Sequence, residues 1–230
     1  MSLDLAIHLT TILMALAFIQ QSLEHFHGDR SECILFAFRL ILSVFLLFGL
    51  WPQWTCLALL VNALFVLKRF QGPYNGGSDR MGLLILCCLC LVYWVHVQHW
   101  REYIFGYLAL QLILSYFIAG WVKVVNSEWR TGQALQDVFQ FSAYPVSESL
   151  RGWANRPKLL FLMSWSVILF ELLFPLALVT PTMLMVGLAI AALFHLTNAF
   201  IFGLNRFFWI WLAAYPALLW LQHRLLQGGA

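Results

Sequence analysis

Between Glu102 and Lys123 the chain carries no charged side chain. An apolar stretch of about 20 residues is what a helix needs to cross the hydrocarbon of a bilayer. Comparable segments recur at 4–22, 32–50, 53–69, 81–98, 102–124, 158–179, 182–203 and 207–224. Only 10% of the 230 residues are charged, against about 25% in soluble domains, so a water-soluble fold could not hide the remaining apolar surface. The expected fold is an all-α, polytopic membrane bundle of about eight transmembrane helices, forming a single transmembrane domain over residues 1–230.

Punctuation agrees with these segments. Pro52, Pro157 and Pro181 stand at segment starts, where a missing backbone N–H costs little. Pro175 and Pro216 fall inside segments and should kink them. With eight spans, Arg30, Lys68, Arg69, Arg80, Arg130, Arg151, Arg156, Lys158 and Arg206 share one side, and Arg101 and Arg224 the other. The positive-inside rule then predicts a multi-pass protein of the cell membrane with both termini outside. The first segment has Asp4 before it instead of basic residues, so it reads as a transmembrane helix and not as a cleaved leader. Membrane lipids are the expected surroundings. A net charge of +3, scattered along the chain, gives no footprint for nucleic acid. The cysteines include the cluster Cys87, Cys88 and Cys90 but no CxxC spacing, and mid-helix they read as small apolar side chains; no metal site is expected.

Ionisable groups at membrane depth are costly, and they tend to face the bundle interior and to mark function. Arg39, His96, Lys123, Glu171 and His195 are the candidates. A buried pair with Arg39 or a lysine would satisfy Glu171, either to hold helices in register or to handle protons. His96 lies beside "HVQHW" near a span end and reads as interfacial. On the seventh helix His195, Asn198 and Asn205 fall within about 80° of one another. They then form either interhelical glue or a polar pocket wall. Lys123 ends its span, so it either snorkels to the headgroups or turns inward, where a desolvated amine could act as a base. Trp129 follows in the polar stretch "NSEWRTG". The long connection from Asn126 to Pro157 contains "TGQALQDVFQF", with Leu135, Val138 and Phe139 on one helical face; an interfacial helix is expected, as connector or lid. "YNGGSDRM" reads as a tight loop in which Gly76 and Gly77 supply backbone freedom.

Three stretches resemble a known family. "YFIAGWVK" followed by "EW" and "G", and "FHLTNAFIFGLN", are similar to the core of the vitamin K-dependent gamma-carboxylases. "NGGSDRMGLL", which opens at Asn75, resembles an element of the wider horizontally transferred transmembrane (HTTM) domain family, which also includes bacterial proteins that mature a peptide toxin. The resemblance runs from about Tyr74 to Asn205.

The resemblance implies a quinol-linked membrane enzyme, a lyase if it carboxylates, acting on a peptide or a lipid-soluble substrate. Its cofactor would be a reduced naphthoquinone of the vitamin K or menaquinol type. In the carboxylases the lysine matching Lys123 is the base that deprotonates the hydroquinone. Oxygen then yields an epoxide, and the strong base so formed takes a proton from a glutamate γ carbon, to which carbon dioxide adds. Lys123 and His195 would be catalytic; Asn198, Asn205, Asn75, Trp129, Glu171 and Arg39 would bind substrate or cofactor. The carboxylase histidine that follows two asparagines is replaced here by Gly77. The alternative is a non-catalytic maturation or immunity partner that binds a peptide. No pair of Gly/Pro-interrupted spans supports a transporter.

Overall fold

The structure, a computed structural model, describes residues 1–26, 28–69, 76–141 and 145–227, with the backbone alone at 69, 76 and 227. The described residues are helical, without strands. In chain order the helices are α1 Leu3–Glu24, α2 Arg30–Leu47, α3 Pro52–Arg69, α4 Gly76–Trp94, α5 Gln98–Val125, α6 Ser127–Thr131, α7 Gln133–Phe141, α8 Glu148–Arg151, α9 Pro157–Leu173, α10 Pro181–Phe202 and α11 Asn205–Gln227. Every expected span is occupied by a helix. Five are long and apolar enough to cross a membrane: α1, most of α4, α5, α9 with the 3₁₀ turn Phe174–Val179 that continues it, and α10.

The local chemistry sets these boundaries. Ser2 Oγ accepts from the Leu5 amide at 3.3 Å, Asp29 Oδ1 from Glu32 at 2.8 Å and Thr180 Oγ1 from Met183 at 3.1 Å; each closes an orphan donor of a first turn. Pro157 and Pro181 occupy first-turn positions. At Pro175 the helical ladder loses a donor; α9 stops at Leu173 and the chain continues as the tighter 3₁₀ turn. His96 lies exposed in the break between α4 and α5.

The chain resolves into two compact units, residues 1–110 with 206–230, and residues 111–205. In the first, α1 packs on α2 and α4, and α3 on α2 and α4. Its core is built from Met14, Phe18, Phe36, Leu46, Leu59, Ile85 and Phe105. One end is tied by Arg101 to Asp4 at 2.8 Å and Arg224 to Glu102 at 3.4 Å. Another group joins Arg206 to Glu24 at 3.8 Å and to His25, which also meets Glu32 and stacks on Phe36 at 3.9 Å. These pairings keep Arg206 with the α1–α2 connection and Arg101 near Glu102 and Arg224.

One expectation changes here. Gly76 and Gly77 do not form a surface loop: they open α4, and a Cβ on Gly77 would lie 3.0 Å from the Phe207 ring. A side chain there would have to displace that ring by a few tenths of an ångström. Asn75 lies outside the described residues.

The second unit holds the distal part of α5 together with α6 to α10. Its connection folds into α6, α7, α8 and the 3₁₀ turn Gly152–Asn155. Leu135, Phe139, Ala154 and Leu160 form a buried cluster backed by Trp129, Trp153 and Phe202. The expected amphipathic helix is thus α7, with Leu135 and Phe139 inward and Phe141 exposed.

Candidate functional site

The site is written along one face of α5. Tyr116, Gly120 and Lys123 follow the i, i+4, i+7 spacing that aligns side chains on a helix. Gly120 decides how close α9 can come: a Cβ there would meet the Leu172 backbone nitrogen at 2.8 Å and Glu171 Cβ at 2.9 Å. The absent side chain lets the helices touch, and their proximity brings the polar groups on either side of Gly120 within reach of α9 and α10.

One turn beyond the glycine, Lys123 points inward. Its ammonium donates to both Glu171 carboxylate oxygens, at 2.8 and 2.6 Å, and to the Ala119 carbonyl at 3.5 Å. The Glu171 side chain is 5% exposed and that of Lys123 17%, so the pair is largely shielded and both charges need each other. The nitrogen also lies 5.2 Å from the centre of the Trp129 ring, within cation–π range. Trp129 is held there because its carbonyl accepts from Ser164 Oγ on α9, and the neighbouring Arg130 carbonyl accepts from the Trp165 indole at 3.0 Å. Gly132, at φ +84°, lets the chain pass the Phe161 backbone, where a Cβ would sit 2.9 Å from nitrogen.

One turn before the glycine, the Tyr116 hydroxyl and His195 Nε2 share a hydrogen bond of 2.8 Å. Both residues are buried, 3% and 5% exposed. Phe170 and Phe174 flank Tyr116, with ring centres 5.7 and 4.1 Å away, and Phe194 lies 5.0 Å from His195. The same Phe170 and Phe174 line an open, almost wholly apolar groove of about 300 Å³, completed by Ala177, Met183, Val186 and Gly187.

The structure therefore joins Lys123, Glu171 and Trp129 in one cluster, and pairs His195 with Tyr116 in another. Seven residues of helix, about 10 Å of axial rise, separate Tyr116 from Lys123 on the seam. Asn198 lies one turn beyond His195, half-buried. Asn205 does not share that face. Gly203 caps α10 in the left-handed region at φ +69°, the chain turns, and Asn205 begins α11. Arg39 is not the partner of Glu171; it is buried in the first unit with its guanidinium 3.7 Å over the Phe18 ring. Tyr116 was missed as a site residue, although its seven-residue spacing from Lys123 was visible. Among the described residues no group of His, Cys, Asp or Glu could hold a metal.

A family model described as an HTTM domain matches residues 92–222. That range takes in the Tyr116–Lys123 and His195–Asn205 stretches, whereas "NGGSDRMGLL" precedes it. No curated protein and no solved structure matches the chain.

Proposed function

Because the chain belongs to the HTTM domain family, we propose that this multi-pass membrane protein is a carboxylase-like enzyme, which draws a proton at Lys123 from a lipid-soluble quinol. The observation that carries the reading is the inward turn of Lys123 onto Glu171. A lysine serving only as an anchor would reach for headgroups; this one is fixed at a helix seam by a carboxylate and an aromatic face. The pair can carry its shared proton on either atom. With the proton on Nζ it is an ion pair; with the proton on the carboxyl group, Lys123 presents a neutral amine able to act as a general base. Glu171 would hold that proton while the amine accepts another.

The residues fit a reduced naphthoquinone of the vitamin K or menaquinol type. The groove beside Phe170 and Phe174 is aromatic-lined and apolar, as a flat ring with a hydrocarbon tail requires. Tyr116 and His195, buried behind those rings and bonded to each other, would hold the aromatic wall of the groove in place. When bound, such a quinol would supply the reducing equivalents and the acidic hydroxyl. Trp129 shields the Lys123–Glu171 pair from water. The cation-rich loops would face the cytoplasm of the cell, with both termini outside.

The test uses the full chain in vesicles with a reduced naphthoquinone. Wild type should take up oxygen in a quinol-dependent way, and Lys123→Met should not. No uptake by wild type, or equal uptake by the variant, would remove the lysine from the mechanism. A second reading is a non-catalytic partner that binds a peptide. The half-buried Asn198 carboxamide, which makes no side-chain hydrogen bond among the described residues, supports it as a point for main-chain contacts.

A further inference from the structure

We infer that the outer face of α9 at its start is a docking site for an anionic phospholipid. Pro157, Lys158, Phe161 and Leu162 line an open, apolar groove of about 470 Å³. Pro157 with Phe161, and Lys158 with Leu162, are i, i+4 neighbours on adjoining strips of the helix, and Phe161 and Leu162 are exposed, at 44% and 62%. One cation lines this face, and two more belong to the segments next to it. Lys158 lies in the groove wall, and Arg156 immediately precedes the helix; both are exposed. Arg130 is exposed on α6, whose carbonyl at that residue is bound by the Trp165 indole, one turn along α9 from Phe161. Among the described residues none of the three side chains has an ion-pair partner. Arg151, by contrast, is paired with Glu148 at 2.9 Å and donates to the Gln140 carbonyl at 3.3 Å.

The occupant follows from the two halves of the surface. Unpaired arginine and lysine attract phosphate. A groove of Phe and Leu attracts an acyl chain, and neither half alone needs the other. A molecule that carries both, with a net negative headgroup, matches the whole face; a zwitterionic lipid of the same chain length matches only the groove. Basic residues beside a membrane bind anionic lipids in this additive manner.

Binding is measured on the full chain in neutral detergent, by native mass spectrometry and thermal unfolding, with dioleoyl phosphatidylglycerol or dioleoyl phosphatidylcholine. Wild type should retain and be stabilised by the glycerol lipid in preference to the choline lipid. Arg130→Gln, Arg156→Gln and Lys158→Gln should each cost about fivefold in that preference, and the triple variant should bind the two lipids equally. These positions are exposed, so the variants should unfold at the wild-type temperature without lipid. Soluble glycerol phosphate should give no stabilisation. Equal binding of the two lipids by wild type, an unchanged preference in the triple variant, or a glycerol phosphate effect as large as the lipid's would overturn the assignment. The experiment needs no catalysis, so it stands or falls apart from the quinol reading.

Discussion

Lys123 and Glu171 can be separated into structure and chemistry by a double-mutant cycle. At 2.6–2.8 Å the pair attracts by about 6 kcal/mol at an effective dielectric near 20, but most of that offsets the cost of removing two charges from water. Removing one partner exposes that cost. Lys123→Met strands a carboxylate whose side chain is 5% exposed, and should destabilise the protein by about 3–5 kcal/mol. Glu171→Gln should cost less, about 1–3 kcal/mol, because Lys123, at 17% exposure near the end of α5, can swing toward the headgroups. Lys123→Met with Glu171→Gln removes both charges and should cost less than the sum of the two single variants by at least about 2 kcal/mol. The assay is reversible unfolding in mixed micelles, run beside quinol-dependent oxygen uptake. The double variant is the informative protein: folded but without the amine, it should be inactive. If the single costs simply add in the double variant, the two side chains do not depend on each other and the pairing argument fails. If the double variant is stable and active, the pair is structural and the base lies elsewhere.

Other changes test the seam and its surroundings. Gly120→Ala should lower stability by about 1–3 kcal/mol, read by thermal unfolding, because its Cβ would strike the Leu172 backbone; a neutral result would mean α5 and α9 are further apart. Gly132→Ala should cost a similar amount in the same assay, since φ is +84° and Phe161 nitrogen stands at 2.9 Å. Tyr116→Phe should cost about 1 kcal/mol through the lost bond to His195 and raise the KM for quinol; an unchanged KM would take Tyr116 out of the binding site. Arg39→Met should be neutral or stabilising in denaturant titration, because Nε and Nη1 are buried without hydrogen-bond partners among the described residues; a large loss would show a partner for the guanidinium.

The spans were legible because long uncharged runs have one physical solution in lipid, and the prolines and caps marked their ends. The direction of Lys123 was not legible, since a terminal lysine is equally at home in the headgroups. It is settled by a residue 48 positions away, and what selects that residue is a glycine. "YFIAGWVK" contains the decision in Gly120, but only the proximity of Leu172 shows why a side chain there is excluded. The misplacement of Asn205 has the same kind of origin. A 100° periodicity projects a polar face as far as the helix is assumed to run, and Gly203 at φ +69° ends it two residues short of Asn205.

The seam also explains why one short motif can hold two different polar pairs in an apolar bundle. Tyr116 and Lys123 lie one turn either side of Gly120, so the contact that removes water from one removes it from the other. A bulkier residue at 120 would part Lys123 from Glu171 and loosen Phe170 from Tyr116, and the carboxylate would then be left with an unsatisfied buried charge. Gly120 therefore sets the α5–α9 approach on which the Lys123–Glu171 pair depends and which lays Tyr116 against Phe170. Variants at 120 should move stability, quinol affinity and turnover in concert, whereas variants at Tyr116 or Lys123 should move them separately.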